Sequence, residues 1–319
     1  MTPELREVLG PQIHPYYPAH RWPPALEEHL TDIGAGRIAM MDAAGIDVQV
    51  LSTVQPGLEH IEAARAIPVA RAFNDRIADA IAAHPGRLEG FAALATADPA
   101  ASAAELERAV ATLGLRGAMV NGRTLERFLD DPFFWPIFES AEALGVPLYL
   151  HPMPPPRAVY DIYYAGFGDD VGFMLGAGAW GWHVETGLHA LRLILAGVFD
   201  RFPALQVIIG HMGEVVPFML ARADGALGGG TALGPVGTRM ELSVSEYFLR
   251  NFHISTSGFF TDPPLRCALD TFGEDRIIFA VDYPFGNSAA GRRFLDEADV
   301  DDAVRAKIAH GNAERLLRV

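Results

Sequence analysis

Apolar residues come in short bursts along this chain, and each burst stops at a glycine or a polar residue. Val207-Ile208-Ile209 is the clearest, followed by Gly210, His211, Met212, Gly213 and Glu214. A run that short, rich in β-branched side chains, reads as a strand buried on both faces. Similar runs at 47–52, 88–94, 115–120, 147–150, 252–256 and 277–281 bring the expected strands to seven. Between them the apolar spacing turns helical, at 25–44, 61–84, 100–113, 132–144, 184–199, 214–222, 243–248, 263–272 and 301–317.

Strands alternating with helices mean parallel strands joined by crossovers. The expected fold is therefore α/β, a (β/α)8 TIM barrel with its first strand absent or atypical. Seven strands left as an open sheet would expose two edges, a liability that closure removes. Residues 1–24 offer no eighth strand. They read as one short helix at 3–9, then an extended arm with five prolines and Tyr16, Tyr17 and Trp22. The domain expectation is this arm (1–24) plus one barrel domain (25–319), with a long irregular loop at about 152–182.

Composition narrows the class. The 319 residues are half hydrophobic, enough for a large single core. Lys and Arg number 25 against 40 Asp and Glu, a net charge of −15, and no stretch concentrates the basic residues. That argues against nucleic acid and anionic membranes as partners. A single cysteine, Cys267, excludes an internal disulfide and a cysteine-rich metal site. No apolar run approaches the roughly 18–20 residues of a membrane span, and no signal segment opens the chain. A cytoplasmic protein is expected.

Barrel chemistry collects where strands end. The strand at 147–150 runs into His151, that at 207–210 into His211 and Glu214, and that at 277–281 into Asp282. Neutral imidazole and carboxylate suit zinc or a similar divalent ion. A histidine bonded to a nearby carbonyl is the plainer account of His151 alone, but matched positions on three strands favour ligation. Asp282 follows five apolar residues, and a carboxylate there needs a cation or several donors. Glu214, three residues after His211, can orient its imidazole and raise its basicity. His14, His20, His60, His84 and His310 read as surface or capping residues. His183 and His189 read as packing, and Glu185 as a minor supporting residue at most.

The segments Tyr149-Leu150-His151-Pro152, Ile209-Gly210-His211-Met212-Gly213-Glu214, Phe252-His253-Ile254-Ser255-Thr256-Ser257-Gly258 and Asp282-Tyr283-Pro284-Phe285 resemble the amidohydrolase-related proteins. More narrowly, they are similar to the metal-dependent non-oxidative decarboxylases of gamma-resorcylate, dihydroxybenzoate and aminocarboxymuconate semialdehyde. The resemblance runs from about Leu26 to the end. It implies a (β/α)8 barrel holding one divalent metal, zinc or manganese. It also implies His151 and Asp282 as ligands, and His211 with Glu214 as a catalytic dyad beside Asp282. Arg222, Phe285 and Asn287 would line the substrate pocket, and Tyr160-Asp161 and Trp180 would sit on the loop that closes it. A homodimer or homotetramer is implied as well.

One departure stands out. The family's first strand carries two more ligands in a Glu-x-His or His-x-His pattern. Thr2-Pro3-Glu4-Leu5 resembles the segment just after that motif, so the expectation is a chain that starts beyond it. Ala25-Leu26-Glu27-Glu28-His29 spells the motif but sits in a helical apolar period. The leading expectation is a decarboxylase of a hydroxylated aromatic carboxylic acid. The alternatives are a metal-dependent hydrolase of a lactone, ester or amide, and a metal-depleted non-catalytic homologue.

Overall fold

Each strand is short, two to four residues lying between two covering layers, helices outside and barrel interior inside. The computed structural model of the chain describes residues 2–10, 23–228 and 240–319. The strands are β1 (Gln49–Leu51), β2 (Leu88–Gly90), β3 (Ala92–Ala93), β4 (Ala118–Asn121), β5 (Leu148–His151), β6 (Val207–Ile209), β7 (Phe252–Ser255) and β8 (Ile277–Ile278). All pairings are parallel, β1 with β2, then β3 through β8 in chain order. Only Phe91 separates β2 from β3, and its N–H donates to Leu51 O at 2.8 Å, so the two form one strand position shared by both sheets. The seven expected positions are all filled, in the expected order.

Register sorts the side chains. Met119, Tyr149 and Ile208 are partners across neighbouring strands. With Phe91, Ile278 and Leu317 they form an apolar cluster inside the barrel, where the last helix (Asn312–Leu317) closes the floor. Their neighbours Val120, Leu150, Ile209 and Ile254 belong to the main core against the outer helices, with Phe73, Phe138, Phe199 and Phe248. Because direction alternates along a strand, Asn121 and His151 return to the inner side at the mouth. At Gly117, φ is +145°, and a Cβ would stand 2.3 Å from Pro147 O, so only glycine allows β4 and β5 to meet there.

Among the described residues no strand lies between β8 and β1, and Val48, just before β1, and Val50, on it, are exposed. The helix expected at 3–9 is present as Pro3–Leu9, with Leu5 fully buried. The helix expected at 25–44 is broken into Pro24–Thr31 and Ala35–Ala44. Asp32 causes the break, because its carboxylate accepts the Gly34 N–H at 2.9 Å in place of a helical bond. Arg37 then fills the notch, donating to Asp32 O and His29 O. The loop at 152–182 contains two short helices, Arg157–Tyr163 and Asp169–Gly176, and the following helix starts at Gly181. No described helix is long and apolar enough to cross a membrane.

Candidate active site

Three strand ends meet at one mouth. A cavity of about 1160 Å³ runs from there through the barrel past β1 to Ala313 and Leu317, and at the mouth it is lined by Tyr149, His151, Trp182, His211, Asp282 and Phe285. At the end of β5, His151 donates its Nδ1–H to Pro152 O at 2.9 Å. A carbonyl only accepts, so the proton sits on Nδ1 and Nε2 keeps its lone pair. Burial and the neighbouring His211 hold its pKa below the ordinary value, so the ring stays neutral. A neutral imidazole with one free nitrogen is a ready metal ligand.

Past β6 the backbone is strained. His211, Met212, Gly213, Glu214 and Val215 all have positive φ, at 48°, 55°, 86°, 53° and 70°. Consecutive non-glycine residues in this region cost of order 1–3 kcal/mol each and persist where surrounding structure imposes them. Their effect is to turn His211 and Glu214 back on one another. His211 Nδ1–H donates to Glu214 Oε1 at 2.6 Å, and His183 Nδ1–H donates to Oε2 at 2.6 Å. Burial opposes the His211 imidazolium, but the Glu214 carboxylate and Asp282 outweigh it and push the ring up to about 10. For Glu214 burial favours the neutral acid, but the two imidazoles hold its pKa below the ordinary carboxylate value.

Asp282, at φ 62°, turns its carboxylate into the same mouth, with Oδ2 3.9 Å from His211 Nε2. The strand before it ends early, at Ile278 rather than 281. Thr256 takes over the ladder there, its hydroxyl bonding both Ala280 O and Ala280 N–H. Trp182 stacks on His211 with ring centres 6.3 Å apart and meets the edge of His151 at 6.4 Å. Tyr149 bonds Ser255 across the barrel at 2.9 Å, and burial pushes its phenol up to about 12.

The other expected pocket residues are placed differently. Phe285 lines the cavity and is half exposed. Asn287 caps the helix Ser288–Glu297, its side chain accepting the Ala290 N–H at 2.9 Å. Arg222 is exposed on the helix Val216–Leu227 and is not among the cavity-lining residues. Tyr160 is buried with Tyr164 and Phe173, Asp161 pairs with Arg157, and Trp180 is exposed. Glu185 pairs with the buried Arg123. His189 is a packing histidine, accepting the Leu129 N–H at 2.9 Å. Glu27 pairs with Arg6, and His29 lies on the same helix, facing Tyr283. His14 and His20 lie outside the described residues.

His183 is the residue that sequence reasoning set aside. With His211 and Glu214 it forms a group whose ligand atoms lie within 4.8 Å of one another, close enough for a divalent ion. Yet both imidazoles spend Nδ1 on Glu214. The donors left for a cation are His151 Nε2 and Asp282, nitrogen and oxygen ligands that suit zinc or manganese, whereas a charged His211 carries a proton on Nε2 and stands beside them. The glycines at 176, 178, 181 and 187 were the available signal, since they mark where backbone approaches closely around His183.

A model of the amidohydrolase family matches residues 16–319. The gamma-resorcylate decarboxylase of Polaromonas sp. (strain JS666) is 37% identical over 313 residues, covering 95% of this chain and 93% of that protein. The solved 5-carboxyvanillate decarboxylase of Sphingomonas paucimobilis superposes with a TM-score of 0.85 at 38% identity, covering 93% of this chain and 86% of that one. The solved dihydroxybenzoic acid decarboxylase of Polaromonas sp. JS666, with bound manganese and the inhibitor 2-nitroresorcinol, superposes equally well, with a TM-score of 0.85 at 37% identity over 92% of this chain and 89% of that one. By sequence along most of its length and by fold, this chain belongs to the amidohydrolase family, with its α/β barrel.

Proposed function

We propose that this protein is a metal-dependent, non-oxidative decarboxylase of a hydroxylated aromatic carboxylic acid. The observation that carries the reading is the convergence of His151, His211 and Asp282 on one mouth walled by Trp182 and Phe285. His151 and Asp282 would hold the divalent metal, zinc or manganese, with His211 Nε2 beside them. When bound there, the metal would supply positive charge to draw electron density from a hydroxylated aromatic carboxylate.

The residues handle the proton. Asp282 first takes a proton from the charged His211, whose Nε2 lies 3.9 Å from its Oδ2, and then delivers it to the ring carbon that bears the carboxylate, which interrupts aromaticity. The carbon–carbon bond then breaks, its electron pair returns to the ring, and CO2 leaves. His211 then regains its proton from solvent and, charged again, faces the developing phenolate charge. Glu214 keeps His211 protonated and oriented. Phe285 and Trp182 offer flat apolar faces to the ring. Of the three residues expected to contact substrate, Phe285 is the best placed. Asn287 acts through the turn it caps, and Arg222 would need a larger assembly to reach any substrate.

Exposed Ile162, Tyr163, Val171 and Met174 on the loop helices, with Phe167 between them, support self-association as a homodimer or homotetramer. A cytoplasmic location, read from the single cysteine, is part of the same proposal.

The test is CO2 release from a panel of hydroxybenzoates by the manganese- and zinc-loaded protein, run beside acid release from lactones and esters. The reading expects CO2, with Asp282→Asn reducing it at least about a hundredfold. Hydrolysis without CO2 release would transfer the same site to the hydrolase reading. Retained activity in Asp282→Asn would remove the proton donor. Sedimentation of the purified chain checks the assembly.

A further inference from the structure

His183 sits in the first turn of the helix Gly181–Leu195 and is buried. Its ring is engaged on both sides. Nδ1–H donates to Glu214 Oε2 at 2.6 Å, while Nε2 has two alternative partners, donating to Gly178 O at 2.9 Å or accepting the Trp182 Nε1–H at 3.2 Å. Glu214 is thus bridged between two imidazoles, His211 on one oxygen and His183 on the other. The helix carrying His183 is pressed onto the Glu214 backbone, because a Cβ at Gly187 would stand 2.8 Å from Glu214 O. It is equally tight on the loop before it, since a Cβ at Gly181 would stand 2.3 Å from Gly176 O. Trp182, next to His183, is the ring that stacks on His211.

From this geometry we infer that His183 is a positioning residue that ties the cavity-covering loop, through Gly178 and Trp182, to the Glu214–His211 dyad. A carboxylate held by a single imidazole can swing about its Cγ–Cδ bond. A second donor on the other oxygen removes that freedom and fixes the plane in which His211 presents Nε2. The second donor is in place only when Gly178 and Trp182 are seated. The dyad is therefore set by the same packing that closes the wall over the cavity.

The kinetic arm of the test rests on the decarboxylase reading, so a second arm is independent of it. In metal-loaded protein labelled with 15N-histidine, the His211 Nδ1–H signal reports its bond to Glu214. His183→Ala should shift or broaden that signal and lower kcat about 10- to 100-fold, with KM changed by less than about threefold. His183→Asn places an amide N–H where Nδ1 stood and should recover most of kcat, whereas His183→Gln should not. The Asn and Gln pair decides the matter if the alanine variant does not fold. Trp182→Phe, which removes the indole donor, should move the His211 signal in the same direction by less. An unchanged His211 signal and kcat in His183→Ala would overturn the inference. Metal content falling in parallel with kcat across the variants would also overturn it, assigning His183 to ligation. If the wild-type protein releases no CO2 from any hydroxybenzoate, the decarboxylase reading fails, and the His211 signal alone still decides the role of His183.

Discussion

Two buried carboxylates in this barrel have opposite fates. Glu214, after β6, is 1% exposed, and Glu59, in the loop after β1, is 2% exposed. Burial favours the neutral acid at both. At Glu214 two imidazoles outweigh it and the pKa falls below the ordinary range. At Glu59 the offsetting partners are amides, chiefly the Asn121 N–H donating at 2.7 Å, and burial pushes the group up to about 7. Depth is the same, so the difference lies in what the carboxylate faces. A nearby cation makes one a charged element of the site, and neutral dipoles leave the other a support for the loop.

The largest effect expected from breaking this contrast is at the site. Glu214→Gln removes the charge that holds His211 at about 10. Activity on the best hydroxybenzoate should fall about 10³-fold, within the usual span for lost acid–base support. A residual rate above a tenth of wild type would show that the dyad is not needed.

Glu59→Gln should act on stability and in the opposite sense. Below the unfolded value of 4.5 the group is protonated in both states, and its stabilisation is full. As pH rises through about 7 the folded carboxyl ionises against its burial, and that contribution is lost. Glutamine cannot ionise, so the variant should be more stable by up to about 3 kcal/mol at pH 8, at about 1.4 kcal/mol per pKa unit. The gain should vanish near pH 4.5. Urea midpoints at the two pH values check this, and an equal effect at both would show that Glu59 does not titrate in that window.

Tyr149→Phe is the smallest change, deleting one bond to Ser255 across the inner wall. About 1 kcal/mol of stability should go, because one hydrogen bond is deleted while Ser255 keeps Ser257 as a partner at 2.5 Å and the ring stays packed. A chemical denaturation curve measures it, and a loss above about 3 kcal/mol would mean that Tyr149 organises the mouth as well.

Most of the frame was legible. Seven strands could be placed because each is a short, mostly apolar run, unbroken at 207–209 and 277–281 and interrupted at others by polar residues such as Gln49, Glu89 and His253. His151, His211 and Asp282 were legible because they follow those runs directly, and a strand's end fixes where the next side chain emerges. The break at Asp32–Gly34 was not, since an Asx turn and a helix continue the same apolar spacing until Arg37 settles which is filled. Nor was the exposed position of Arg222, which depends on how its helix rotates against the barrel.

The sequence by itself determined the parallel α/β frame, the end of the barrel that holds the chemistry, and three of the groups facing the mouth. These follow from short-range rules, the period of apolar residues and the residue that stops each run. Only the tertiary structure decided that His183, far from Glu214 in the chain, closes the second oxygen of its carboxylate. It likewise decided that Glu59 is as buried as Glu214 but without a cation. Both depend on which backbones approach within van der Waals contact, and that is set by packing across the barrel rather than along the chain.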